Sequence, residues 1–190
     1  MISFVKHAMG YFMGERRLAA VAIAIARRAP HGIIFVQRSE SMRSHAGQIG
    51  LPGGGIDPID NGDLEAAARR EMHEEVGVPQ ENIAIVAKLP EIHPRMNRYV
   101  VTPFVAVYAH SPLQIDGTET VGVFTVPLAT VLSDLRDGMT DYAGFSIATP
   151  ILDFGDYHIW GLTGMILRSF VDRWNTGELR ALVEPLLENA

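Results

Sequence analysis

Three glutamates, Glu71, Glu74 and Glu75, interrupt the apolar stripe of one predicted helix, and that helix follows a run of three glycines, Gly53, Gly54 and Gly55. Residues on one helix face recur at spacings of three and four. Leu64, Ala67, Ala68, Glu71, Glu74, Glu75 and Val78 form such a series, which starts apolar, turns acidic and ends apolar. Each residue turns a helix by about 100°, so the three carboxylates fall within about 100° of one another. Like charges that close cost an isolated helix about 0.2–0.5 kcal/mol per pair. A divalent cation removes the penalty. Mg²⁺ and Mn²⁺ prefer hard oxygen ligands, and Mg²⁺ is usually held by one or two carboxylates together with substrate phosphates. A merely solvated acidic face would leave unexplained why acids continue an apolar stripe.

The 190 residues are 47% hydrophobic and 20% charged, enough to bury a sizeable core. The net charge of −6 argues against nucleic acid as a partner, although a few local arginines can still govern a phosphate pocket. There is no cysteine, so disulfides and zinc–thiolate sites are excluded. The apolar residues near the N-terminus, Ala8 to Met13, are too few and too interrupted for a signal peptide or a membrane span. These features predict a soluble, cytoplasmic protein that meets no membrane. A homodimer is compatible with them.

Ala20 to Ala26 and Ile33 to Gln37 read as two strands joined in a hairpin by the turn Arg27 to Gly32. Gly53 to Gly62 reads as a turn-rich loop. The acidic helix runs from about Leu64 to Val76, with Asp63 or Asn61 as its cap and Gly77 at its left-handed end. Ile83 to Leu89, Tyr99 to Tyr108, Gly122 to Val126 and Tyr157 to Trp160 read as strands. Pro103 marks an irregular point or an edge. Pro127 to Leu135 and Leu162 to Trp174 read as helices, and Leu179 to Leu187 as a helical tail. Strands and helices that do not strictly alternate predict an α+β fold with a mixed sheet between helices. The expected domains are an N-terminal extension over 1–18, a main domain over 19–175 and a C-terminal helical tail over 176–190.

The run Arg70, Glu71, Met72, His73, Glu74, Glu75, Val76, Gly77, Val78 resembles the core of the Nudix box of Nudix hydrolases. Upstream, Arg38-Ser39, Met42-Arg43, His45, Gly47-Gln48, Pro52 to Gly54, Asp57-Pro58 and Asp60 resemble the coenzyme A pyrophosphatase-like branch. The likeness extends over roughly Ala19 to Phe170. Three positions depart from the pattern. The general box has a glutamate eight residues before its arginine, where this chain has Gly62, so Asp57, Asp60 or Asp63 must supply any acid there. The branch has an acid where this chain has Gly122, and a Ser-Gly pair where it has Met96 to Tyr99.

The resemblance implies a Nudix α/β/α sandwich that hydrolyses a nucleoside-linked diphosphate with Mg²⁺ or Mn²⁺ as cofactor. Coenzyme A, giving 3′,5′-ADP and 4′-phosphopantetheine, is the first-choice substrate. ADP-ribose, dinucleotides or nucleoside triphosphates are the second choice, and a nucleotide-binding module without catalysis is the alternative of another class. Glu71 and Glu75, one turn apart, are the expected metal ligands, with a backbone carbonyl of Gly54. Glu74 is a third ligand or the base that activates water, and Arg70, four residues before it, orients it by a charge-assisted bond. Glu119 is a further candidate base or ligand. Arg38, Arg43, His45 and Gly53 are the expected substrate contacts, since arginine suits bidentate phosphate binding. Trp160 and Trp174 read as core residues rather than platforms for a base.

Overall fold

A computed structural model describes residues 16–41, 47–94, 98–109, 111–115 and 117–188. Its main sheet contains β1 (Arg17–Ala26), β2 (Gly32–Arg38), β3 (Ile49–Gly50), β4 (Gly53–Gly55), β5 (Ile83–Lys88), β6 (Tyr99–Tyr108) and β7 (Thr120–Pro127). The strand order is β3-β2-β1-β6-β5, with β4 also on β1 and β7 also on β2. The pairing of β1 with β6 is parallel along its whole length, from Arg17 opposite Tyr99 to Ala26 opposite Tyr108. The other pairs are antiparallel, so the sheet is mixed.

Alternation along β1 explains the layers. Ala20, Ala22 and Ala24 face helix α1 (Leu64–Val76), meeting Ala67, Ala68, Met72 and Val76. Small side chains on both surfaces let helix and sheet approach closely. Ile23 and Ile25 point the other way, into a larger core that holds Leu167, Phe170 and Trp174 of α3 (Gly161–Asn175). Period-2 alternation of this kind buries both faces of one strand against different helices. Val131 of α2 (Leu128–Asp134) and Leu179 and Val183 of α4 (Glu178–Val183) join the same larger core. The result is the expected α+β sandwich, a mixed sheet between helices.

Several local expectations change. Gly53 to Gly55 forms a strand rather than a loop, pairing Val21, Ala20 and Ala19 of β1. Asp63, not Asn61, caps α1 by accepting the Glu65 N–H at 2.8 Å, while Gly77 closes its end at φ 73°. Pro103 lies within a central strand, opposite Val21, not at an edge. It falls one residue beyond the last rung between β5 and β6, where its carbonyl accepts the Leu89 N–H at 2.9 Å. The tail is helical from Glu178 to Val183 and then a 3-10 turn, Glu184–Leu186. A second sheet was not anticipated. It contains β8 (Arg136–Tyr142), β9 (Phe145–Phe154) and β10 (Tyr157–Ile159), in the order β10-β9-β8. No helix among the described residues is long and apolar enough to cross a membrane.

Candidate active site

The three aspartates before α1 have separate jobs. Asp57 caps the 3-10 turn Pro58–Asp60 by accepting the Ile59 N–H at 3.1 Å, and Asp63 caps α1. Asp60, buried to 4% exposure, receives the Arg70 guanidinium at both oxygens, each at 3.0 Å. That bidentate bond, the strongest geometry available to arginine and a carboxylate, holds Asp60 well below the usual carboxylate range. Of the three aspartates, Asp60 is therefore the one that meets the arginine of the motif. Sequence reasoning left it among three alternatives. Asp60 also accepts the Asp57 N–H at 2.7 Å and so closes the cap of that turn, and it is the Arg70 contact rather than capping that separates the three.

Arg70 is the hub. One terminal nitrogen donates to Glu71 at 2.9 Å and to Glu74 at 2.8 Å, and the other also donates to the Gly55 carbonyl at 3.0 Å. The expected orientation of Glu74 by Arg70 is seen, but it is one of several bonds that the guanidinium makes. Its three carboxylate partners, Asp60 above all and then Glu71 and Glu74, hold the Arg70 proton more firmly than in a free guanidinium.

The three glutamates differ in exposure. Glu75 is buried, at 7% exposure, with Ala67, Ala68, Met72 and Val76 on the packed side of α1. The Glu71 side chain is mostly covered, whereas that of Glu74 is 56% exposed. The acidic stripe is therefore a gradient from core to solvent. Burial pushes Glu75 up to about 7, against the Gly53 N–H, which donates to it at 2.9 Å. Nearby Glu71 and Glu119 push it in the same direction, and Arg38, 4.0 Å away, opposes them. Burial also raises Glu71, partly offset by Arg70.

The glycine run makes these contacts feasible. Gly53 sits at φ 156°, and a Cβ there would strike the Ala20 carbonyl and the Val21 backbone. At Gly54 a Cβ would lie 2.5 Å from a Glu71 carboxylate oxygen. The missing side chains let the backbone of β4 lie directly against both buried carboxylates.

This donor set fits a hard divalent cation. Two carboxylates are held in a partly dry place at a cost in solvation, beside a backbone with no side chain in the way. Among the described residues, no three acidic or histidine side chains are already drawn into a closed cage. Arg70 engages Glu71 and Glu74, and Glu75 turns one oxygen to Gly53.

Arg38 lies beside Glu75, and the Glu119 carbonyl accepts the Ser39 N–H at 2.8 Å, so the end of β2 and the segment before β7 meet at the site. Glu119 is close enough to raise both Glu71 and Glu75. Arg43 and His45 lie outside the described residues. Trp174 is a core residue as expected, stacked at a tilt on Phe170. Trp160 is not. It is partly exposed at the start of α3 and belongs to none of the core clusters.

Residues 16–143 match the NUDIX domain family. Uncharacterized Nudix hydrolases named NudL, from Citrobacter koseri and Escherichia coli, are each 36% identical over 157 residues, covering 81% of both chains. Among solved structures, a C. elegans Ap4A hydrolase binary complex superposes with a TM-score of 0.54 at 18% identity, over 85% of this chain and 98% of that one. The NUDIX domain of Shewanella oneidensis NrtR complexed with ADP ribose gives 0.51 at 24% identity, over 69% and 85%. The two solved structures share the fold. The family match reaches the arginine, the glutamates and the glycine run whose contacts define the site, and the chain belongs to the Nudix hydrolases, pyrophosphohydrolases that generally use divalent metal ions.

Proposed function

We propose that this enzyme hydrolyses the diphosphate of coenzyme A or a derivative, releasing 3′,5′-ADP and 4′-phosphopantetheine. The observation that carries the reaction class is the placing of Glu71 and Glu75, both raised by burial, against the side-chain-free backbone of Gly53 and Gly54. The resemblance of the run from Arg38 to Asp60 to the coenzyme A branch supports the substrate.

Glu71 and Glu75 would hold a Mg²⁺ or Mn²⁺ ion, with the Gly54 carbonyl and Glu74 as further donors. When bound, the ion supplies Lewis-acid stabilisation of charge on the phosphoryl oxygens and makes water more acidic. The chain supplies the rest. Arg70, itself anchored on Asp60, fixes the carboxylates of Glu71 and Glu74. Glu74, the most exposed of the three, or Glu119 takes the proton of the attacking water. Arg38, Arg43 and His45 hold the diphosphate oxygens, and Gly53 keeps Glu75 in place.

A hydrolysis screen of coenzyme A, 3′-dephospho-coenzyme A, ADP-ribose and NADH with Mg²⁺ or Mn²⁺ tests the reading. Coenzyme A should be cleaved, EDTA should abolish turnover, and the dephospho form should be about tenfold poorer in kcat/KM, the scale of one charged hydrogen bond to the 3′-phosphate. Arg43→Ala should shrink that preference. Faster cleavage of ADP-ribose or NADH would move the substrate elsewhere in the class. Tight nucleotide binding with no turnover on any substrate would identify a binding module.

A further inference from the structure

The two sheets leave a cleft between them that the acidic site does not use. Its volume is about 370 Å³, within the roughly 300–1,000 Å³ of small-molecule sites. One wall comes from the main sheet and carries Gln37, Gln48 and Ile49. The other comes from the second sheet and carries Tyr142, His158 and Trp160. A groove of similar volume beside α3, lined by Pro90, Ile92, Pro150 and Met165, offers no aromatic face.

The cleft walls are built rather than incidental. Phe35, Phe124 and Tyr157 stack in series across β2, β7 and β10, at 5.7 Å and then 3.8 Å between ring centres, which clamps the second sheet to the first. Trp160 occupies the junction of β10 and α3, where the Gly161 N–H donates to Thr149 Oγ1 at 3.0 Å. Thr163 donates to the Ile49 carbonyl at 3.1 Å, tying the first turn of α3 to the opposite wall. His158 is held at both ring nitrogens, 2.6 Å from Asp153 Oδ1 and 3.1 Å from Thr140 Oγ1. It therefore acts as a fixed wall. Tyr142 meets Trp160 at 5.1 Å and 54°. Both rings stay partly in water here, Tyr142 at 41% exposure.

Position joins this cleft to the acidic site. Gln37 and Arg38 are consecutive at the end of β2 and, as strand neighbours, face opposite sides of the sheet. Arg38 faces Glu75 and Gln37 lines the cleft. Opposite Gln37 stands Gly122, where a Cβ would lie 3.2 Å from the Gln37 amide oxygen. The glycine leaves that amide room to turn. An amide offers both a donor and an acceptor in one plane, as the edge of a nucleobase requires.

We propose that the cleft between the two sheets is the subsite for the nucleobase of the substrate, with Trp160 and Tyr142 as its stacking faces and the Gln37 amide reading the base edge. This rests on the reading of the enzyme as a hydrolase of nucleoside-linked diphosphates. The diphosphate lies at Arg38, and the nucleoside passes over the end of β2 to the opposite face. Every base has a π-face, so stacking supplies affinity and the amide supplies preference.

Tryptophan fluorescence of the full chain, titrated with AMP and with ribose 5-phosphate, tests this directly. AMP should change the signal of Trp160 and ribose 5-phosphate should not. Trp160→Phe should abolish the change, since Trp174 is buried in the core. Trp160→Leu should weaken AMP binding between about fivefold and a hundredfold and leave ribose 5-phosphate binding unaltered. For whichever diphosphate the wild type cleaves, KM should rise about tenfold with kcat within about threefold. Tyr142→Ala, a change at a residue 41% exposed, should act in the same direction and cannot unfold the core. Cleavage with unchanged KM in both variants overturns the subsite and leaves the hydrolase intact. AMP quenching at Trp160 with no cleavage of any diphosphate supports the subsite and removes the hydrolase reading.

Discussion

Arg70 and Arg136 each hold an aspartate, and the two pairs sit in opposite surroundings. Arg70 meets Asp60 in two bonds of 3.0 Å, at 15% and 2% side-chain exposure. Arg136 meets Asp153 at 2.7 Å, at 56% and 48%. The shorter contact is the weaker one. In water a pair of charges exchanges good solvation for a modest attraction, and the median contribution is about 0–1 kcal/mol. In a covered site, removing one partner leaves the other charge poorly solvated, at a cost of about 3–5 kcal/mol. The region around α1 is organised by buried charge, and the second sheet by stacked rings and ion pairs open to water.

The largest expected effect on stability is at Asp60. Asp60→Ala should lower unfolding free energy by about 3 kcal/mol in urea denaturation, because Arg70 keeps its other acceptors but loses its bidentate one. A loss under about 1 kcal/mol would erase the contrast with the surface pair.

A pH effect of similar size belongs to Glu75. Its folded value of about 7 lies above its ordinary 4.5, so the metal-free folded protein binds that proton more tightly than the unfolded chain does. The stabilising contribution is complete below about 4.5 and is lost as pH rises through about 7, on the order of 3 kcal/mol in all. Metal-free protein should therefore melt lower at pH 7.5 than at pH 5.5. Glu75→Gln should flatten this slope, and saturating Mg²⁺ should offset the loss in the wild type. Equal melting temperatures at the two pH values would mean that Glu75 is better solvated than its position indicates.

Smaller effects belong to the second sheet. Arg136→Ala should cost less than about 1 kcal/mol. Phe145→Ser, at a side chain 72% exposed, should stay within about 0.5 kcal/mol of the wild type in the same denaturation assay. A larger loss at either position would show that the second sheet contributes more to folding than its exposure suggests.

The same contrast explains what could be read from the sequence. The strands of the main sheet carry unbroken apolar runs, such as Ala19 to Ala26, and α1 has its cap and its closing glycine, so these elements were legible. The glutamates were legible because acids on an apolar stripe are costly without a reason. The hairpin of β8 and β9 was not. Arg136, Asp137, Gly138, Thr140 and Asp141 are polar or small in a strand that is mostly exposed, and they give neither alternation nor an apolar run. Trp160 was misread because tryptophan is usually buried, and its place at a cleft depends on the sheet that was missed. The glycine run reads as a loop because strand propensity disfavours glycine, whereas its pairing with β1 goes with close approach to Glu71 and Glu75.

The central claim is that Glu75 is buried to hold a catalytic metal, and the direct test is Mg²⁺-dependent hydrolysis by Glu75→Gln beside the wild type. The substitution keeps the shape and the bond from Gly53 and removes the charge. Turnover should fall by at least about two decades, the scale of several kcal/mol of lost charge stabilisation, while the metal-free variant folds and melts no lower than the wild type at pH 7.5. Near-normal Mg²⁺-dependent hydrolysis by a folded Glu75→Gln protein would contradict the claim.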